Sequence, residues 1–231
     1  MLKNTLINRE VTKKIAKALG ELNKRVVYVG GAVVSLYIDD PSADDVRPTK
    51  DIDISMQIRS LGELEQIRMV LSRKGFYQSH EDDVICRFRY EDIKVDVMAT
   101  KPIGWAPGNE WFEKGFPHIF TKDLDDITVN LLPLPYYLAT KFSAFYGRGT
   151  KDPRTSKDFE DIVYILNYTS DLKEQILKAD NPVKAYLKGA FSHILADKLL
   201  QEAIIANLYH EKQTERLNKI LLNIQTICNV V

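Results

Sequence analysis

The chain has 231 residues, with 32 Lys+Arg set against 32 Asp+Glu, 45% hydrophobic residues and 10% aromatics. Such a composition excludes a disordered chain, and the length suits one large domain or two small ones. No stretch reaches the ~20 apolar residues of a membrane span, and zero net charge excludes a protein that coats nucleic acid.

In chain order, Met1-Leu2-Lys3-Asn4 leads into polar residues with no signal core, so export is not expected. Val11, Ile15, Leu19 and Leu22 recur at helical spacing and predict a first helix that tolerates Gly20. Val26-Val27-Tyr28-Val29 then reads as a short apolar strand ending at Gly30-Gly31, with Ala32–Ile38 as a short helix. Ile52, Ile54 and Met56 alternate with Asp53 and Ser55, the pattern of a strand with one polar face. Leu61, Leu64, Ile67 and Leu71 predict another amphipathic helix. Val84–Tyr90 and Ile93–Met98, separated by Glu91-Asp92, predict a hairpin. Lys101–Pro117 reads as a long loop, and Ile127–Leu132 as one more strand. After Pro133 and Pro135 the pattern is helical to the end: Tyr137 to Arg148, Phe159–Leu166, Leu172–Leu177, Val183–Leu208 and Leu217–Ile227, with a break near Asn181-Pro182. The expected organisation is α+β over residues 1–132 and all-α over 133–231. Cys86 and Cys228 lie far apart in apolar contexts and read as buried thiols of a cytosolic protein. His80, His118, His193 and His210 have no zinc-ligand spacing.

Three pieces of the first part carry chemistry. Gly30-Gly31 joins a strand to a helix, which either makes a simple turn or lets a phosphate approach free backbone N–H groups. Asp51 and Asp53 share one face of a strand while Ile52 and Ile54 face the core. Two carboxylates so close either form a solvated face or await a hard cation, Mg²⁺ or Mn²⁺. Asp96 stands alone among the apolar residues of Val95-Asp96-Val97. Beside Asp51 and Asp53 it would complete a three-carboxylate site suited to displacement at phosphorus.

These residues resemble a known family. Val29-Gly30-Gly31, Arg47-Pro48-Thr49-Lys50-Asp51-Ile52-Asp53-Ile54 and Lys94-Val95-Asp96 are similar to the nucleotidyltransferase superfamily of the DNA polymerase β type. The pattern Arg-x-Thr-x-Asp-x-Asp resembles its AbiEii/AbiGii abortive-infection toxin branch. Lys141-Phe142-Ser143-Ala144, Arg148 and Ser156-Lys157-Asp158-Phe159-Glu160-Asp161 are similar to that branch's further motifs. The resemblance runs from about Tyr28 to Leu166. It implies a nucleotidyltransferase-like mixed sheet flanked by helices, followed by a helical domain. It further implies Asp51, Asp53 and Asp96 as metal ligands, with Asp96 as a candidate base. Gly30 and Gly31, with Arg47, Thr49 and Lys50, would bind the nucleotide. Lys141 and Arg148 would engage its phosphates, and Asp158 matches the last catalytic aspartate. The family often has serine after the first glycine; Gly31 supplies no hydroxyl.

The implied activity is transfer of a nucleoside monophosphate from an NTP to an acceptor hydroxyl in the cytoplasm, with an RNA or tRNA 3′ end as candidate acceptor and an antitoxin as candidate partner. A catalytically inactive nucleotide- or partner-binding module and a small-molecule, antibiotic-type nucleotidyltransferase are the alternatives. Independently of any resemblance, Lys141 to Lys157 holds five basic residues and one acidic, Asp152. That surplus suits a triphosphate or RNA backbone, or else forms a solvated basic turn. Trp105, Trp111, Phe112 and Phe116 either stack a base or pin a loop to the core. Arg87 and Arg89 share a strand face, and neutralise the carboxylates if that face is theirs.

Overall fold

A computed structural model describes residues 2–148 and 152–231, and resolves the chain into two compact units. The first comprises Met1–Leu36 and Asp45–Pro133; the second comprises Tyr37–Asp44 and Leu134–Val231.

The first unit is built on a mixed six-stranded sheet. Its strands are β1 (Val26–Val29), β2 (Asp51–Met56), β3 (Arg87–Tyr90), β4 (Ile93–Ala99), β5 (Phe120–Leu124) and β6 (Ile127–Leu131), in the order β3-β4-β2-β1-β6-β5. β1 pairs antiparallel with β2, β2 parallel with β4, and β1 parallel with β6. Central β1 is buried along its whole length. The period-two pattern sorts the sheet into two faces: Ile52, Ile54, Val95, Val97 and Phe88 are all buried on one. Each such side chain contributes about 1.5–3 kcal/mol on leaving water, and this fixes the register that puts the acidic residues on the other face.

Helix α1 (Lys3–Leu19) packs on β2 and β6 through a buried side that includes Ile15 and Leu19. It ends at Gly20, whose φ of 53° is easy only for glycine, so the expected continuation to Leu22 is a 3-10 turn instead. The segment after Gly30 is likewise a six-residue 3-10 turn, Gly31–Leu36, rather than an α-helix. Helix α2 (Leu61–Arg73) starts at Ser60, whose hydroxyl accepts from the Glu63 amide. The expected hairpin is β3–β4, with Glu91 in the left-handed region at its tip. The stretch read as loop contains a short helix α3 (Glu110–Gly115), capped by Asn109. Strand β5 escaped the reading because four of its five residues are exposed and show no alternation.

No side chain beside α1 in sequence caps its N-terminus; Asp45 does so from across the fold. Its carboxylate accepts from the amides of Asn4 (2.7 Å) and Thr5 (2.9 Å) and from the Thr5 hydroxyl (2.9 Å). Partial burial opposes the charge, but these bonds outweigh it and hold the Asp45 carboxyl below the usual range. A depressed folded pKa means stabilisation that is present above the unfolded value of about 3.9 and lost as pH falls through the folded one. The melting-temperature gap between wild type and Asp45→Ala is therefore expected at pH 7 and should close in acid. Thermal melts from pH 7 to pH 2 check this, and a gap that stays constant would contradict it.

The second unit is helical: α4 (Leu134–Gly147), α5 (Lys157–Tyr168), α6 (Leu172–Lys178), α7 (Asn181–Ala196), α8 (Lys198–Ala206) and α9 (Gln213–Val230). Every residue from Leu134 to Phe142 is buried, which makes α4 the central helix, in contact with α5, α6 and α7. The helical run expected from Val183 to Leu208 breaks at Asp197, whose side chain caps α8. The strap Tyr37–Asp44 completes this unit. Tyr37 stacks on Tyr137 with ring centroids 4.2 Å apart, Asp39 accepts from the Ser170 amide, and Asp44 accepts from the Tyr164 and Tyr168 hydroxyls. Among the described residues no helix is long and apolar enough to cross a membrane.

Candidate active site

The sheet brings the three first-unit carboxylates onto one face. Asp53 and Asp96 are register partners on parallel β2 and β4, and Asp51 lies two residues before Asp53. Burial decreases along this face toward the start of β2: Ser55 is fully buried, Asp53 partly buried and Asp51 exposed. The carboxylates therefore lie where the sheet meets solvent.

Gly30, at the end of β1, is shaped to Asp53. It has a φ of 74°, and a Cβ placed on it would lie 1.8 Å from Asp53 Oδ2 and 2.8 Å from Asp53 Cβ. The Asp53 carboxylate thus occupies the volume that any other residue at position 30 would fill. The turn that follows Gly30, Gly31–Leu36, is a short 3-10 segment.

The arginine read conditionally from sequence does face the acids. Arg87 is the register partner of Asp96, and its Nε and Nη2 donate to the two carboxylate oxygens at 2.7 and 2.8 Å. The bond to Asp96 pushes the Arg87 pKa up, and the two-pronged geometry fixes the plane of the carboxylate. Arg89, next on that face, is held by Asp82 (2.7 Å) and Glu81 (3.1 Å) instead. Burial first, then the charges of Asp96 and Asp53, push the Cys86 thiol up to about 11. It stays protonated at neutral pH.

The loop before β2 presents the other first-unit candidates. The Thr49 hydroxyl accepts from the Asp51 amide at 3.0 Å. Lys50 Nζ pairs with Asp92 at 2.6 Å, and the Lys50 carbonyl accepts from the Lys94 amide of β4. Of the loop aromatics, Trp111 and Phe112 are buried, which assigns them to the core. Trp105 lies against Phe88 and donates from Nε1 to Glu65 at 3.0 Å.

Among the described residues, no group of three or more His, Cys, Asp or Glu side chains stands in a metal-holding arrangement. Both oxygens of Asp96 accept from Arg87. The donor chemistry of Asp51, Asp53 and Asp96 nevertheless fits a hard cation. Magnesium is commonly held by only one or two carboxylates together with substrate phosphates.

Within the helical unit, Lys141 on α4 is buried, with Nζ 2.5 Å from Asp161 and 3.7 Å from Asp158, both on α5. Exposed Arg148 reaches Asp158 at 2.8 Å. Asp158 and Asp161 are themselves buried. The basic surplus counted from Lys141 to Lys157 is thus largely answered by acids that lie just past its end or within it, since Arg154 pairs with Asp152. Lys151, the remaining member of that run with Lys157, lies outside the described residues. Asp161 is not among the residues that the sequence marks for the site; its spacing of three from Asp158, which puts both on one helix face, is the available signal.

Comparison with known proteins bears on the family and the fold. The family model described as "Nucleotidyl transferase AbiEii toxin, Type IV TA system" matches residues 16–222. Among solved structures, an antigenic nucleotidyltransferase-like protein from Paracoccidioides brasiliensis is 16% identical, with TM-score 0.50 over 90% of this chain and 97% of its own. JHP933 from Helicobacter pylori is 13% identical, with TM-score 0.53 over 100% of this chain and 94% of its own. Likeness at these identities establishes the fold. Among curated proteins none matches the sequence.

Proposed function

We propose that this chain, which belongs to the AbiEii nucleotidyl transferase toxin family, transfers a nucleoside monophosphate from an NTP to the hydroxyl at an RNA 3′ end, with tRNA as the acceptor. The single observation carrying the reading is the placement of Asp53 and Asp96 as register partners on one sheet face, with Gly30 leaving its Cβ volume to Asp53. In the reaction the acceptor oxygen bonds to the α-phosphorus, the α–β P–O bond breaks, and pyrophosphate leaves. The hydroxyl proton passes to a carboxylate of the site, for which Asp96 is the candidate.

A divalent cation, Mg²⁺ or Mn²⁺, held by Asp51, Asp53 and Asp96, would neutralise the triphosphate and the charge developing on the oxygens. Gly30 and Gly31, at the end of β1, would contact the phosphates, and Arg47, Thr49 and Lys50 lie on the loop that enters β2. For the helical unit, the proposal is that Lys141, Arg148 and Asp158 also serve nucleotide binding. An antitoxin partner and a cytoplasmic setting follow from reading the chain as the toxin of a type IV system.

The test is to incubate the protein with Mg²⁺, each labelled NTP in turn and a tRNA pool. Label is expected in RNA with wild type, and only at background with the near-isosteric Asp53→Asn. No transfer from any NTP would overturn the enzyme reading. Label entering only a small molecule or a protein would overturn the RNA acceptor.

A further inference from the structure

We infer that Asn8 is a positioning residue of the nucleotide site, an inference that rests on the reading just given. Asn8 sits on α1 and is a fully buried polar side chain. Its amide is spent on one short segment: Nδ2 donates to the Arg47 carbonyl at 3.0 Å, and Oδ1 accepts from the Thr49 amide at 2.9 Å. It therefore grips both ends of Arg47-Pro48-Thr49, the loop that enters β2. Pro48 has no N–H to offer, so this stretch lacks one of the backbone donors a turn would otherwise use, and the asparagine amide does the holding.

The grip passes onward through one further bond. The Thr49 hydroxyl accepts from the Asp51 amide at 3.0 Å, and Asp51 opens the strand that carries Asp53. Two residues before Arg47, Asp45 binds the first turn of α1, so helix and loop are clasped in both directions. A buried asparagine with a donor and an acceptor used in a single fork is the side chain suited to this task. Leucine or alanine there would fill space but leave two backbone groups unpaired. The consequence is functional because the gripped residues are Arg47 and Thr49, which the site presents to the nucleotide.

Initial rates against NTP concentration test this, with Thr12→Val as the control. Thr12 is buried one turn further along α1, and its hydroxyl donates to the Asn8 carbonyl of its own helix at 2.8 Å. Asn8→Ala is expected to raise the KM for NTP about tenfold, the worth of roughly one hydrogen bond, with a smaller change in kcat. Thr12→Val should leave KM unchanged even where it lowers the melting temperature. Should Asn8→Ala not fold, Asn8→Asp replaces it: it still accepts from Thr49 but cannot donate to Arg47, and the same rise in KM is expected. A wild-type KM in either Asn8 variant, or an equal rise in Thr12→Val, overturns the assignment. Failure of wild type itself to transfer from any NTP overturns the proposed function instead, and is read in the same assay.

Discussion

Gly30→Ala is expected to lower kcat/KM for nucleotidyl transfer by about a hundredfold or more, the scale of a 1 Å misplacement of reacting groups. Two independent costs meet at this position. The φ of 74° lies in the left-handed region, where a side chain costs about 1–3 kcal/mol. The added methyl would also stand 1.8 Å from Asp53 Oδ2, with Asp53 Cγ and Cβ at 2.6 and 2.8 Å. The carboxylate cannot yield by its tip alone, because its Cβ is in the way too. Either Asp53 rotates off the face it shares with Asp96 or the end of β1 shifts, and both outcomes spoil the site. Gly147→Ala is the control, since a Cβ there meets nothing within 4 Å. Steady-state kinetics with a parallel melt distinguish loss of geometry from loss of fold. A folded Gly30→Ala protein with wild-type kcat/KM would refute the argument.

Lys141→Met is expected to cost about 3–5 kcal/mol of stability, the usual penalty for breaking a buried ion pair from one side. That is a large part of the roughly 5–15 kcal/mol that holds a protein of ordinary stability folded. The substitution keeps an unbranched apolar side chain one atom shorter but leaves the buried carboxylates of Asp158 and Asp161 without the ammonium 2.5 Å from Asp161. Urea denaturation followed by circular dichroism measures the loss, and a midpoint within experimental scatter of wild type would disprove it. The double variant Lys141→Met with Asp161→Asn removes one charge of each sign, and should recover part of the stability. It also separates two roles. If stability returns while the KM for NTP stays high, Lys141 serves the nucleotide as well as the helices. If both return, its work is confined to joining α4 to α5.

What the sequence made legible was local. Asp51 and Asp53 fall on one face of their strand, and Asp96 opposite Val95 and Val97 on its own, because strand alternation needs only the neighbouring residues, and the buried Ile52, Ile54, Val95 and Val97 enforce it; that the two strands pair to bring the three together is the β2–β4 register. The α+β part followed by helices was legible from the change of period after Pro133, and the mixed sheet from the family resemblance. What stayed hidden depends on partners distant in sequence. Nothing in Gly30-Gly31 announces that its first member makes room for the carboxylate of Asp53. Arg87 could be placed on a face but not on Asp96, because that pairing requires the register of β3 on β4. The basic surplus ending at Lys157 hid its own neutralisation, since Asp158 and Asp161 lie just beyond it and turn back toward Lys141 only once α5 forms. Strand β5 lacks a buried alternate face, and α3 is too short to show a period.

The strap Tyr37–Asp44 gives the chain a particular order of assembly. It leaves the ribosome with the first unit, yet its fastenings come much later: Tyr168 lies 124 residues beyond Asp44, and Ser170 lies 131 beyond Asp39. Contacts so remote in sequence form late, because loop closure must be met before they reward it. The helical unit therefore cannot be completed from its own continuous stretch, and a cut near residue 133 separates both fragments from something they need. An amino-terminal fragment carries a strap of tyrosine and aspartates with nothing to hold it, while a carboxy-terminal fragment presents the bare ring of Tyr137 and the unused hydroxyls of Tyr164 and Tyr168. Although two compact units are visible, the polypeptide is threaded so that they are inherited, synthesised and truncated as one.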